Sequence, residues 1–99
     1  AIEQLVNAVV EVQQARTALR EVESRLEASA KSVELAEESV KITRERFGNG
    51  LALATQLIDT ETALTASRVR RTGAENDRSA AIAALRRALG LPMISLTNE

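Results

Sequence analysis

Residues 33–50 read VELAEESVKITRERFGNG, an uninterrupted helical pattern that ends in a glycine-rich turn. This stretch contains the last three members of a column of large apolar residues that recurs every seven positions: Leu5, Val12, Leu19, Leu26, Val33, Val40 and Phe47. No proline interrupts this column, and the first glycine of the chain is Gly48. Because a strict seven-residue apolar repeat is the spacing of coiled-coil packing, the column predicts one long helix with a left-handed supercoil.

A second column, three positions further along, consists mostly of small residues: Ala1, Ala8, Ala15, Val22, Ser29, Ala36 and Thr43. Alternating large and small residues form a seam that a partner helix can approach closely. Other apolar residues lie off this seam: Val6, Val9, Val10, Leu35 and Ile42. A lone two-helix hairpin would leave them in water, so they predict a second contact face toward another helix pair.

The second half of the chain carries a matching seam, which reads Leu57, Leu64, Arg71, Arg78 and Leu85, with Thr60, Ser67, Ala74, Ala81 and Ala88 between them. Folding the chain back at residues 48–52 would pair Phe47 with Leu57, Val40 with Leu64, and Leu19 with Leu85. Arg71 and Arg78 then lie opposite Val33 and Leu26, from where they can reach nearby carboxylates: Glu34, Glu37, Glu23 or Glu27. The sequence therefore predicts an all-α, antiparallel two-helix coiled-coil hairpin.

This hairpin divides the chain into helix one (residues 1–47), a turn (48–52), helix two (53–89) and a C-terminal tail (90–99). Leu53 is a poor N-cap and Thr55 a better one, so we expect helix two to begin near residues 53–55. Gly73 is either a point of close approach or a weak joint in helix two. Gly90 followed by Leu91-Pro92 predicts a helix stop.

Composition restricts the classes of function. Ninety-nine residues allow one domain or a piece of a larger chain, and the start resembles neither a signal peptide nor an initiator methionine, so we expect a fragment. The net charge of −1 offers no electrostatic case for nucleic-acid binding. Cysteine and histidine are absent, and serines and threonines sit in helical segments without a base. We therefore expect no enzyme, no metal site and no cofactor.

Residues 33–50 resemble the end of a long helix in TolC-type outer-membrane efflux proteins, where a basic residue, an aromatic residue and a glycine close the helix. Residues 51–59, LALATQLID, look like the start of the returning helix in that family. The segment ending Ala88-Leu89-Gly90 is similar to the family's closing signature. The resemblance covers about residues 28–92, and residues 1–27 match in heptad character alone.

This resemblance implies a trimeric channel, in which each subunit contributes strands to an outer-membrane barrel and helices to a long periplasmic α-barrel. The chain would be the second helical hairpin of a subunit, with its turn at the periplasmic tip. The expected partners are other copies of the subunit, a periplasmic adaptor protein that docks on the tip and, indirectly, an inner-membrane pump. The resemblance assigns the adaptor-docking tip to Phe47, Gly48, Asn49, Gly50 and Leu51. It assigns the candidate pore or gate residues to Gln56 and Asp59.

The chain departs from the family pattern at four positions in and around the tip. Gln56 stands where many members have an acidic residue, Phe47 where many have tyrosine, and Ala52 where some have a basic gate residue. Leu53 replaces the usual serine or threonine cap. These departures leave the strength of a closed gate open.

Simpler interpretations accompany each of these assignments. Asp59 could be a first-turn acid that complements the helix dipole, and any helical hairpin needs a turn such as 48–51. Phe47 is expected to plug the end of the hairpin rather than to anchor a ligand. The whole chain could also be the coiled-coil hairpin of a periplasmic adaptor or a dimerisation coiled coil. Whatever its parent, the uncovered apolar face predicts self-association, for instance as a four-helix bundle.

Overall fold

The computed structural model describes residues 1–90 and consists of two long helices that pack on one another. Helix α1 spans Ile2–Gly48 and helix α2 spans Ala54–Ala88. They run antiparallel and give a rod 73 Å long. The prediction of an all-α helical hairpin is confirmed. Helix α2 ends two residues before Gly90, which has a φ of +72°. Leu91, Pro92 and the rest of the predicted tail, residues 91–99, lie outside the described residues.

The predicted seams form the interior of the hairpin. The buried residues come from α1 and α2 alike: Val22, Val33, Val40, Leu64, Ser67 and Ala74. Val33, Val40 and Leu64 form one cluster, against which Ala36 packs. At the two ends of the seven-residue column Leu5 and Phe47 are exposed. The seam is therefore tight in the middle and opens toward both ends.

The two arginines within the second seam turn outward. Arg71 and Arg78 are both exposed, and the small residues Ser67 and Ala74 are the ones that α2 buries on either side of Arg71. The Nε of Arg78 lies 3.5 Å from a carboxylate oxygen of Glu23, one of its expected partners. For Arg71 the expectation is wrong, because no carboxylate of residues 1–90 lies within ion-pair distance of its guanidinium. Glu37 instead pairs with Arg68, three residues before Arg71, with 3.5 Å between a guanidinium nitrogen and a carboxylate oxygen.

Cross-helix ion pairs lie mostly along one face of the hairpin. Arg44 pairs with Glu61 at 3.3 Å, on the same side as the Glu37–Arg68 pair. All four side chains are about half exposed or more, so each pair contributes well under about 1 kcal/mol. These pairs therefore contribute little to the stability of the fold.

Gly73 lies in the middle of α2 without interrupting it. A methyl group added to Gly73 would meet no atom within 4 Å. Of the two alternatives for Gly73, a point of close approach is therefore wrong. Its remaining effect is the intrinsic cost of a glycine within a helix.

The apolar residues off the seam are exposed, as predicted for a lone hairpin. They are Val6, Val9, Val10, Leu35 and Ile42. The hairpin by itself thus leaves apolar surface that a further helix could cover.

Candidate interaction surface at the hairpin tip

Helix α1 ends in a Schellman motif, in which a left-handed residue lets two amides return to the last turn. The N–H of Leu51 donates to the carbonyl oxygen of Arg46 at 2.7 Å, and the N–H of Gly50 donates to that of Phe47 at 3.0 Å. Gly50 has a φ of +74°. Because residues other than glycine rarely adopt this backbone conformation, Gly50 is the residue on which the reversal depends.

The other two residues of the Gly-Asn-Gly stretch do not use positive φ. Gly48 is the last residue of α1, and Asn49 is its C-cap with a φ of −94°. The amide of Asn49 donates to the carbonyl oxygens of Glu45 and Arg46. Within this stretch the left-handed conformation is therefore needed at Gly50 alone.

Helix α2 begins immediately after Leu53, which is its N-cap in an extended conformation. Leu53 has no side-chain oxygen with which to bind the first amides of the helix. The side-chain oxygen of Gln56 instead accepts a hydrogen bond from the N–H of Leu53 at 2.8 Å. This is one half of a capping box, so Gln56 has a structural task at the position assigned to a pore residue.

The tip exposes large apolar side chains on both sides of the reversal. Leu51 and Leu53 are 71% and 68% exposed, and Phe47 is 43% exposed. The side chain of Phe47 therefore covers the end of the seam only in part, so the expected plug is incomplete. Three large apolar side chains within seven positions are thus exposed at this end of the rod, and we call them together the tip patch.

A hollow of about 450 Å³ lies beside the tip patch, between the two helices. Its lining residues are Thr43, Arg46, Leu51, Ala52, Gln56, Asp59 and Thr60. The structure thus brings together both pore candidates and one docking candidate, Leu51. Phe47, Gly48, Asn49 and Gly50 do not line it. The hollow combines one cation, one carboxylate and an apolar rim.

Asp59 is exposed and lies past the first turn of α2, which contains no acidic residue. The alternative in which Asp59 complements the helix dipole from the first turn is therefore wrong. Arg46, which the sequence reasoning passed over, shares the hollow with Asp59. The predicted pairing of Phe47 with Leu57 could have indicated Arg46, because it places residue 46 opposite residue 58, next to Asp59.

The side chains around the hollow are apolar, amide and hydroxyl groups together with the charges of Arg46 and Asp59, both of which are exposed. Within residues 1–90 no three His, Cys, Asp or Glu side chains come together as a metal site. Neither α1 nor α2 is apolar enough over a sufficient length to cross a membrane.

Comparisons with protein-family models, with curated proteins and with solved structures found no match to this chain.

Proposed function

We propose that this chain is a periplasmic hairpin of a trimeric outer-membrane efflux channel of the TolC type. In this role the helices form part of the wall of the α-barrel, and the tip docks a periplasmic adaptor and takes part in gating. The chain would then lie in the periplasmic portion of an outer-membrane protein. It would act without a cofactor, as a passive conduit driven by an inner-membrane pump.

The observation that carries this proposal is an apolar tip on a long, thin hairpin. A rod of 73 Å with few large buried side chains is poorly suited to enclosing a substrate, but well suited to lying beside other rods. At one end of the rod, the exposed side chains of Leu51 and Leu53 lie where a partner approaching along the rod axis would meet them. The residues that carry the family resemblance, Phe47 and Gly50, form this tip.

The gating part of the proposal concerns Asp59 and its surroundings. In a threefold assembly each copy would contribute one Asp59 carboxylate at the same height near the tip. A ring of carboxylates favours cations in a pore. Arg46, which shares the hollow with Asp59, would moderate this charge within each copy. Gln56 would support the gate indirectly, by holding the start of α2.

Substitution at the tip tests the docking role in the full-length protein. Leu51→Asp places a charge on the tip patch and should abolish export of the native substrate, measured as lost resistance of cells that depend on this channel. Val69→Asp is the matched control, because Val69 is 67% exposed in the middle of α2, close to the 71% of Leu51. It should leave export unchanged, with equal amounts of both proteins in the outer membrane.

Two results would contradict the proposal. Unchanged export by the Leu51→Asp channel would remove the docking role of the tip. Flanking sequence that encodes lipoyl and barrel domains, instead of ten-residue alternating strands, would assign the hairpin to an adaptor protein.

A further inference from the structure

We propose that a second copy of this chain packs, antiparallel, on the first turns of α1. This segment, residues 2–10, is called the overhang. Helix α2 ends beside residues 11–15 of α1, where Glu11, Gln14 and Ala15 share a hollow with Arg87 and Ala88. The overhang runs past that end. This inference does not depend on a role in transport.

The overhang presents an apolar stripe that starts at the seam residue Leu5 and continues around the helix, away from the hairpin seam. Its members are Ile2, Leu5, Val6, Val9 and Val10, which are 42–79% exposed. They recur at spacings of three and four residues, so they share one side of the helix, and the seam residue Ala8 lies on another. Glu3 is the one charged side chain in residues 2–10, whereas charged residues make up 27% of the chain.

The exposed area suits a second copy of the same stripe. From their exposed fractions, the five side chains leave roughly 500 Å² of apolar surface, as large as the largest such patch on a typical monomer. Two copies placed face to face would remove about 1,000 Å² from water, the lower limit for a specific interface. We therefore expect a weak, reversible dimer with a dissociation constant in the range of roughly 10–100 µM.

Charge selects the direction of pairing. Further along α1, the same side of the helix carries the polar residues Gln13, Arg16 and Arg20, so the apolar stripe ends there. Parallel pairing would place Arg16 and Arg20 of one copy against the same residues of the other, and like charges repel. Antiparallel pairing centred on Val6 keeps these arginines apart and brings Ile2 of one copy to Val10 of the other.

Sedimentation equilibrium of the full chain tests the dimer. The apparent mass should rise from monomer to dimer as the concentration passes through the stated range. Val6→Glu should weaken association at least about tenfold, which corresponds to about 1.4 kcal/mol. The matched control Val69→Glu introduces the same charge at an exposed valine in the middle of α2 and should leave association unchanged.

Disulfide formation tests the direction. Since the chain contains no cysteine, single variants report one contact each. A mixture of Ile2→Cys and Val10→Cys chains should form the mixed disulfide faster than either symmetric one. A full chain that stays monomeric would overturn the proposal and leave residues 91–99 or another protein as the occupant. Association that resists Val6→Glu, or symmetric disulfides alone, would overturn it too.

Discussion

The reversal at Gly50 predicts opposite effects for the same substitution at two glycines. Gly50 has a φ of +74° within the Schellman motif. Gly73, by contrast, is an exposed residue in the middle of α2 with open space around it. An alanine at Gly50 must adopt the left-handed region, at a cost of about 1–2 kcal/mol. Part of this cost is offset, because alanine has fewer unfolded conformations than glycine, by about 0.4–1 kcal/mol. We expect a net loss of about 1 kcal/mol.

At Gly73 the same change should stabilise the hairpin. Alanine exceeds glycine in helix propensity by about 1 kcal/mol, and the added methyl group meets no atom within 4 Å. For a chain of this size, 1 kcal/mol shifts the melting temperature by about 4–8 °C. Gly50→Ala should therefore lower the Tm by about that amount, and Gly73→Ala should raise it by a similar amount.

Circular dichroism at 222 nm measures both variants, because the helical signal dominates and the chain has a single aromatic residue. All samples must share one concentration, since self-association would itself raise the Tm. Gly50→Asn is a useful intermediate, because asparagine tolerates the left-handed region better than alanine does. A Gly50→Ala chain as stable as the parent would show that the reversal does not need a left-handed residue, and would refute this account of the tip.

Three further substitutions test the seam, the cap and the gate. Leu64→Ala should cost about 2–3 kcal/mol by thermal melting because it opens the Val33–Val40–Leu64 cluster; Leu35→Ala, at an exposed position, should cost under about 0.5 kcal/mol, and equal losses would count against the seam. Gln56→Ala should cost about 0.5–1 kcal/mol by removing the acceptor for the N–H of Leu53, whereas Gln56→Glu keeps an acceptor and should match the parent; a neutral Gln56→Ala would deny the cap. Asp59→Asn in the full-length channel should reduce cation preference in single-channel recordings, and an unchanged reversal potential would remove Asp59 from the pore.

The seven-residue column, the glycine-rich turn and the matching second seam together were enough to predict the hairpin, because a repeat sustained over more than forty residues leaves few other ways to bury its large side chains. The repeat leaves Leu35 and Ile42 off the seam, and both are exposed. The prediction failed for Arg71, because burial at the heptad positions of α2 depends on how closely small residues let the helices approach. Ser67 and Ala74 close the seam, and Arg71 is left outside it.

The details of the tip were harder to predict from the sequence. Glycine and asparagine indicate a turn, but which of them takes positive φ depends on where the last helical hydrogen bonds form. The capping role of Gln56 depends on α2 starting at Ala54, and helix ends are not defined by sequence to that accuracy. The resemblance named Gln56 and Asp59 as neighbours in function, while the hollow adds Arg46 to them.

Contact between the tip and an adaptor is the claim on which the transport role depends, and cross-linking in intact cells measures it most directly. A cysteine at Leu51 of the full-length protein, bearing a short photoreactive group, should cross-link to the hairpin of a periplasmic adaptor. The same group at Val69, of nearly equal exposure, should not. Cross-linking from Val69 alone, or from neither position, would contradict docking at the tip.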